Sequence, residues 1–250
     1  MSDQDQKERL WLDRRFLDRP EVAAAERPLE ALQVWRAAKL AETLDWAGRF
    51  SPWYGRLIPA ALRDRLINDL HNSPLAASSV LARLPFTTAD QLAADSDSFL
   101  AVGHDEVEGI VTVPTSGTGG PAKRIRSTAA DQAETVSFFE YGMRFLVTPG
   151  RDRVALAMSP TRPGNVADLL GRALTRWGMP FQAFGFVPDE PASLDAWLDE
   201  LARFGPTCLV GVPPQMLAIS RHEGARRLKP YLTTILLSGD VASPTLVKIL

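Results

Sequence analysis

Between Gly109 and Arg124 the sequence runs Gly-Ile-Val-Thr-Val-Pro-Thr-Ser-Gly-Thr-Gly-Gly-Pro-Ala-Lys-Arg. An apolar run leads into hydroxyls and glycines, and a lysine closes the stretch. These residue types suit phosphate binding. Gly117, Gly119 and Gly120 let backbone N–H groups approach phosphate oxygens, Thr115, Ser116 and Thr118 add hydroxyl donors, and Lys123 adds a point charge. The spacing is not that of a Walker A loop, which needs four residues between its first glycine and Gly-Lys-Ser/Thr. Gly117-Thr-Gly119-Gly-Pro-Ala122 does satisfy a loose dinucleotide fingerprint, but Pro121 sits where that fingerprint's helix begins to wind. A glycine-rich surface turn is the plain alternative.

Other chemistry-bearing residues are scattered. His71, His104 and His222 each lack a nearby nucleophile, and surface or capping roles are expected for all three. Cys208 opens an apolar run, where a buried, inert thiol is the usual outcome. The basic stretch Arg221-His-Glu-Gly-Ala-Arg-Arg-Leu-Lys229 could meet the phosphates of a ligand or simply complement a helix C-terminus. Pro160-Thr-Arg-Pro-Gly164 either lines a substrate pocket or is a plain turn. Of six Trp residues, four precede Leu57, and all are expected to fill the helical core and interfaces. No metal ligands are assigned, because one Cys and three dispersed His offer no pair at zinc spacing.

The elements that must position these residues fall into two portions. Residues 1–100 read as helical, with segments at Lys7–Leu17, Leu29–Phe50, Leu62–Leu70 and Ala77–Leu84. Ser51-Pro52 and Asn72-Ser73-Pro74 interrupt them, and Thr88 with Gln91 has the form of a capping box. Residues 101–250 read as an α/β core. Short apolar runs at Ile110–Val113, Val154–Met158, Phe181–Phe184, Cys208–Val212 and Thr234–Leu237 have strand length. Helical stretches near Asp131–Phe145, Asn165–Trp177, Ser193–Phe204 and Pro214–Arg221 lie between them. That alternation predicts a mainly parallel sheet covered by helices, with ligands at the carboxyl ends of its strands. Ser243-Pro244 opens one more helix, whose uncapped apolar end at Ile249 and Leu250 leads to the expectation that the sequence is a fragment of a longer chain.

Composition narrows the function classes. The 250 residues are 45% hydrophobic and 23% charged, with 28 basic against 30 acidic side chains. A net charge of -2 gives no reason to expect nucleic acid or an anionic membrane as partner. The polar start MSDQDQKERLWLDRR is no signal peptide, and no apolar run reaches the ~18 residues of a membrane helix. A cytoplasmic location is the expectation.

Thr115-Ser-Gly-Thr-Gly-Gly-Pro-Ala-Lys123 resembles the phosphate-binding loop of the adenylate-forming enzymes, whose pattern is roughly Thr-Ser-Gly-Thr-Thr-Gly-x-Pro-Lys. The length is kept, while Gly119 replaces the second threonine and Ala122 the proline. Ser51-Pro-Trp-Tyr54 and Leu84-Pro-Phe-Thr-Thr-Ala-Asp-Gln-Leu92 look like segments of the phenylacetate–CoA ligase-like branch. Val210-Gly-Val-Pro-Pro214 looks like a substrate-side strand end. Leu236-Leu-Ser-Gly-Asp-Val241 looks like an adenine-side one, where the family's Glu is shortened to Asp240.

The resemblance spans about residues 35–250 and implies a fold, a site and a reaction. The fold is the front half of the family's large domain. The site is Thr115, Ser116, Gly117, Thr118, Gly119, Gly120 and Lys123 on the phosphates of ATP, with Ser238, Gly239 and Asp240 beside the adenine. In the reaction a carboxylic acid, aryl acids included, and ATP give an acyl-adenylate, and CoA then displaces AMP. The family's Tyr-Gly-x-Thr-Glu-like motif, with its Mg2+-binding carboxylate, does not occur in these residues, nor does its mobile domain with the catalytic lysine. The isolated chain is therefore expected to be inactive. Two alternatives stay open. One is a nicotinamide-dependent oxidoreductase, which needs an acidic residue closing a second strand about 20 residues on; Glu134 and Glu140 fall instead in a predicted helix. The other is a non-catalytic remnant or interaction module. The expected partners are small molecules, with a homodimer left open.

Overall fold

Prolines and hydroxyl side chains set the breaks in the first portion of the chain. The computed structural model describes residues 15–113 and 123–249, apart from the side chains of residues 111–113 and 123. Contacts divide the chain into two compact units, Met1–Arg126 and Ser127–Leu250. The first holds helices α1 (Pro20–Ala23), α2 (Pro28–Phe50), α3 (Pro52–Leu57), α4 (Ala60–Asn72), α5 (Ala77–Leu81) and α6 (Ala89–Ala94). Pro28 and Pro52 each begin a helix, where a missing N–H costs nothing. Ser51 stops α2 in an extended conformation, then caps α3 by accepting the Tyr54 N–H on Oγ. The predicted capping box at α6 is formed, with Thr88 and Gln91 each accepting the other's backbone N–H.

Helices α2 and α4 bury Ala37, Ala41 and Leu44 against Leu66 and Leu70. One expectation fails here. Trp46 and Phe50 are 52% and 54% exposed, their rings tilted against each other at 4.4 Å rather than in the core. At 3.6 residues per turn, Trp46 lies about 200° around the helix from Leu44, on the opposite face.

Strands β1 (Val107–Val113) and β2 (Lys123–Thr128) complete the first set of elements and form their own two-stranded sheet. The run Ile110–Val113 was expected in the parallel sheet, and β2 was not foreseen at all. Both differences have one cause. Buried strands of a parallel sheet read as nearly continuous apolar runs, whereas β1 carries Glu108 and β2 has Ile125 as its one large apolar residue. Ile110 and Ile125 remain 55% and 44% exposed. Arg126 is drawn back to Ser96, to whose Oγ it donates at 2.9 Å, and pairs with Asp97.

The second unit contains the predicted α/β core. Its elements are α7 (Ala129–Met143), β3 (Val154–Leu156), α8 (Val166–Arg176), β4 (Phe181–Ala183), α9 (Pro191–Phe204), β5 (Cys208–Gly211), α10 (Pro213–Arg221), β6 (Thr234–Leu237) and α11 (Pro244–Ile249). All three strand pairings are parallel, in the order β4-β3-β5-β6. Every residue of the central strands β3 and β5 is buried, while the outer β4 and β6 are half-buried. Side-chain alternation splits the core in two. Val154, Leu156, Cys208 and Val210 face Met143 of α7 and Leu170 and Leu174 of α8. Ala155, Ala157 and Leu209 face Leu198 and Leu201 of α9 and Met216 of α10. The sheet is thus covered on both faces. Among the described residues no helix is long and apolar enough to cross a membrane.

Candidate functional site at the carboxyl edge of the parallel sheet

Strand order decides where this sheet can hold a ligand. The chain leaves β3 for α8 on one face and leaves β5 for α10 on the other. Because β3 and β5 are neighbours, their outgoing turns diverge at the carboxyl edge, the usual ligand position of doubly covered parallel sheets.

Three turns border this edge. The first, Ser159–Asn165, is held by its own side chains. Ser159 Oγ and Thr161 Oγ1 lie 3.0 Å apart, and Asn165 Nδ2 donates to the Ser159 carbonyl at 2.9 Å. Asn165 Oδ1 accepts the Asp168 N–H at 2.8 Å and so caps α8, while Asp168 accepts the Gly164 N–H. Gly164 has φ 77°, which suits glycine. Pro160–Gly164 thus forms an ordered βα turn at the carboxyl edge, its Arg162 exposed.

The second turn follows β5. Pro213 begins α10 directly after Val212. Gly211 sits close to its neighbours: an added Cβ would stand 2.4 Å from Met216 Cε, which would have to shift, and 3.3 Å from Ala157 Cβ. Val210-Gly-Val-Pro-Pro214 therefore packs a strand end and a helix start tightly against β3.

The third turn is Ser238-Gly239-Asp240, after β6. Ser238 donates its N–H to the Gly211 carbonyl at 3.0 Å, binding this turn to the second one. Gly239 has φ 83°, and Asp240 Oδ1 accepts the Val241 N–H at 2.7 Å. Ser243 caps α11 through the Leu246 N–H at 3.2 Å. Ser238, Gly239 and Asp240 thus lie at the carboxyl edge, exposed or half-buried. Thr115, Ser116, Gly117, Thr118, Gly119 and Gly120 lie outside the described residues. Lys123 opens β2, and its side chain is likewise outside them.

Other sequence candidates sit elsewhere. Cys208 begins β5 at the opposite, amino edge of the sheet; burial, then the nearby Asp152 charge, pushes its thiol up to about 11. It is a core residue. His222 accepts the Gly224 N–H on Nδ1 at 3.1 Å, a capping role. In the basic stretch Arg227 is engaged by Asp195 and Asp199 of α9. Among the described residues no group of three or more His, Cys, Asp or Glu could hold a metal ion.

One polar cluster escaped the sequence reading. Glu140 of α7 is 9% exposed and accepts from Arg144 and from Arg176 of α8. Burial opposes its charge, but the two guanidinium groups outweigh that and hold its carboxyl below the ordinary range. Beside it, Arg172 donates to buried Gln132 at 2.9 Å. The cluster joins two helices on one face of the sheet and lies away from the strand ends.

No protein-family model matches the sequence, and no curated protein does either. The fold does have neighbours among solved structures. An open conformation of 2-hydroxyisobutyryl-CoA ligase in complex with 2-HIB-AMP and CoA superposes with a TM-score of 0.62 at 18% identity, covering 88% of this chain and 47% of that one. The same ligase in its thioesterification state gives 0.59 at 20% identity, covering 82% and 42%. Its postadenylation state, with 2-HIB-AMP, gives 0.59 at 19% identity over 86% and 43%. The chain thus spans under half the length of the structures it matches. At these identities the likeness is one of fold, and that fold is one found in 2-hydroxyisobutyryl-CoA ligase.

Proposed function

We propose that this chain carries the nucleotide-facing part of an acyl-CoA-ligase-like, adenylate-forming protein that acts on a carboxylic acid, ATP and CoA. The observation that supports it most is the set of turns at the switch of strand order, in a fold shared with a CoA ligase. Residues 114–122 link β1 to β2 and carry the phosphate-binding residue types. In this reading the backbone at Gly117, Gly119 and Gly120, the hydroxyls of Thr115, Ser116 and Thr118, and Lys123 hold the β- and γ-phosphates. Ser238, Gly239 and Asp240 bound the adenine.

The residues' contribution is positional and electrostatic. A carboxylate oxygen attacks the α-phosphorus and pyrophosphate leaves; the CoA thiol then displaces AMP. Magnesium would add charge neutralisation at the phosphates. The described residues offer it no cluster of ligands. The oxidoreductase alternative loses support, because the glycine stretch leads into strand β2 and not into the helix a dinucleotide fingerprint requires. Glu134 and Glu140 both lie in α7, as expected, and Glu140 is committed to two arginines.

Titration calorimetry with ATP tests this reading. The unaltered chain should bind ATP, Gly117→Val should abolish binding by blocking backbone approach, and Lys123→Ala should weaken it roughly tenfold, about 1.4 kcal/mol. Equal affinity in all three proteins would remove the phosphate role of the loop. NADH binding without ATP binding would favour the oxidoreductase, and binding of neither would favour a non-catalytic module.

A further inference from the structure

Strands β1 and β2 pair with each other in a sheet of two. Two strands alone are marginally stable, so their placement depends on ties to the rest of the chain. Arg126 supplies one. Its side chain is only 10% exposed, whereas Arg124, two residues earlier on the same face of β2, is exposed. One guanidinium nitrogen of Arg126 donates to Ser96 Oγ at 2.9 Å, and the other pairs with Asp97.

The turn that receives Arg126 is itself fastened. Ser98 donates its backbone N–H to Asp95 Oδ1 at 3.3 Å, and its hydroxyl bonds the same carboxylate. Ser51, buried at the start of α3, donates its hydroxyl to the Ser98 carbonyl at 3.0 Å. Trp53 of α3 stacks on Phe99 at 4.5 Å. The tie from Arg126 therefore ends on a fixed part of the first unit. At its other end, β2 begins with Lys123, three residues and about 10 Å along an extended strand from Arg126. Holding one end of so short a strand sets the other. A loose hairpin would have to be ordered by the ligand at a cost in affinity, and a tied one is ordered beforehand. Arginine suits the task, because its rigid fork reaches two acceptors at once while lysine is a single point donor.

We propose that Arg126 is a positioning residue for ATP: held by Ser96 and Asp97, it fixes β2 so that Lys123 and the stretch before it meet the triphosphate in one arrangement. The inference rests on the phosphate role proposed above for residues 115–123. Arg126 acts through Lys123 and not on the nucleotide.

The test is ATP calorimetry on the 250-residue chain and its variants. Arg126→Ala should weaken binding roughly tenfold by undoing the ordering. Asp97→Asn is the sharper variant. Asp97 is 62% exposed, so its substitution leaves the fold intact, and it removes an anion. Electrostatics alone would then strengthen the binding of a triphosphate, whereas loss of the tie should weaken it about threefold. Arg126→Ala combined with Lys123→Ala should lose less than the product of the single losses, as residues acting through each other do. Amide exchange in α2 and α4 should stay that of the parent. Unchanged ATP affinity in Arg126→Ala, or unchanged or tighter binding by Asp97→Asn, overturns the inference and leaves the phosphate reading standing. Losses that simply multiply overturn it as well, and so does faster exchange throughout α2 and α4, because Arg126 would then only hold the unit together. A parent chain that binds no ATP overturns the phosphate reading and this inference with it.

Discussion

Glu140 illustrates chemistry that no sequence pattern announces. Its carboxylate is buried between two helices and accepts from Arg144, one helical turn on, and from Arg176 in a different helix. Nothing in their spacing marks Glu140 and Arg176 as partners. The two cations are 53% exposed, so solvent screens them and the cluster contributes modestly. Glu140→Gln should lower stability at pH 7 by about 1–2 kcal/mol, since both guanidinium groups lose a charged acceptor. The folded-state value is depressed, so the contribution is full above the ordinary 4.5 and fades as pH falls through the folded value. Urea midpoints of parent and variant should therefore keep a constant gap from pH 7 down to the ordinary 4.5 and converge only as pH falls below it; a gap that persists through that acid limb would show that the charge is not what matters. Cys208 gives a second test at this scale. With its thiol raised to about 11 and its side chain fully buried, it should resist iodoacetamide at pH 8 in the folded chain and react readily in urea. Equal rates in both conditions would contradict its place in β5.

At the scale of elements, the legible features were those with local causes. Thr88 and Ser243 cap helices where their hydroxyls precede the right backbone N–H groups, Ser51-Pro52 ends α2, and strand-length apolar runs became β3, β4, β5 and β6. Strand β2 was missed, although its polar-apolar-polar alternation around Ile125 was there to read. The carboxyl edge and its turns were legible only in outline. Alternating strands and helices imply such an edge, but the order β4-β3-β5-β6 depends on pairing between strands far apart in sequence. The Asn165 cap also went unnoticed, even though Asn165 and Asp168 have cap spacing. Asn165 both caps α8 and ties the turn to the Ser159 carbonyl. Asn165→Ala should thus cost about 1–2 kcal/mol, whereas Asn165→Asp keeps the cap and should lose less. Chemical denaturation separates them, and an equal loss for both would mean that the tie to Ser159, not the cap, carries the effect. Gly211→Val should also destabilise, by about 1–3 kcal/mol, because it forces a branched side chain into the space of Met216 and Ala157.

At the scale of the whole chain, the question is what these 250 residues can do alone. Binding and turnover separate physically. A loop of N–H groups, hydroxyls and one lysine can hold a triphosphate by itself, but moving the α-phosphorus to a carboxylate requires charge neutralisation throughout the transfer. The sequence contains no Thr-Glu pair of the kind the resembled family uses to place a metal-binding carboxylate, and the described residues contain no alternative cluster. Water exclusion is the second requirement. The carboxyl edge is bordered by three exposed or half-buried turns, so in the second unit alone an acyl-adenylate there would meet solvent. The expectation is therefore a chain that binds ATP yet releases pyrophosphate slowly, with no dependence on the acid supplied. A coupled pyrophosphate assay across aryl, short-chain and fatty acids, run beside the calorimetry, measures both halves. ATP binding with acid-independent background release fits the argument. Brisk, acid-selective release would show that residues in this chain supply both the charge neutralisation and the enclosure. The search for them would then begin with Arg162 and Asp240, the charged side chains on the turns that follow β3 and β6.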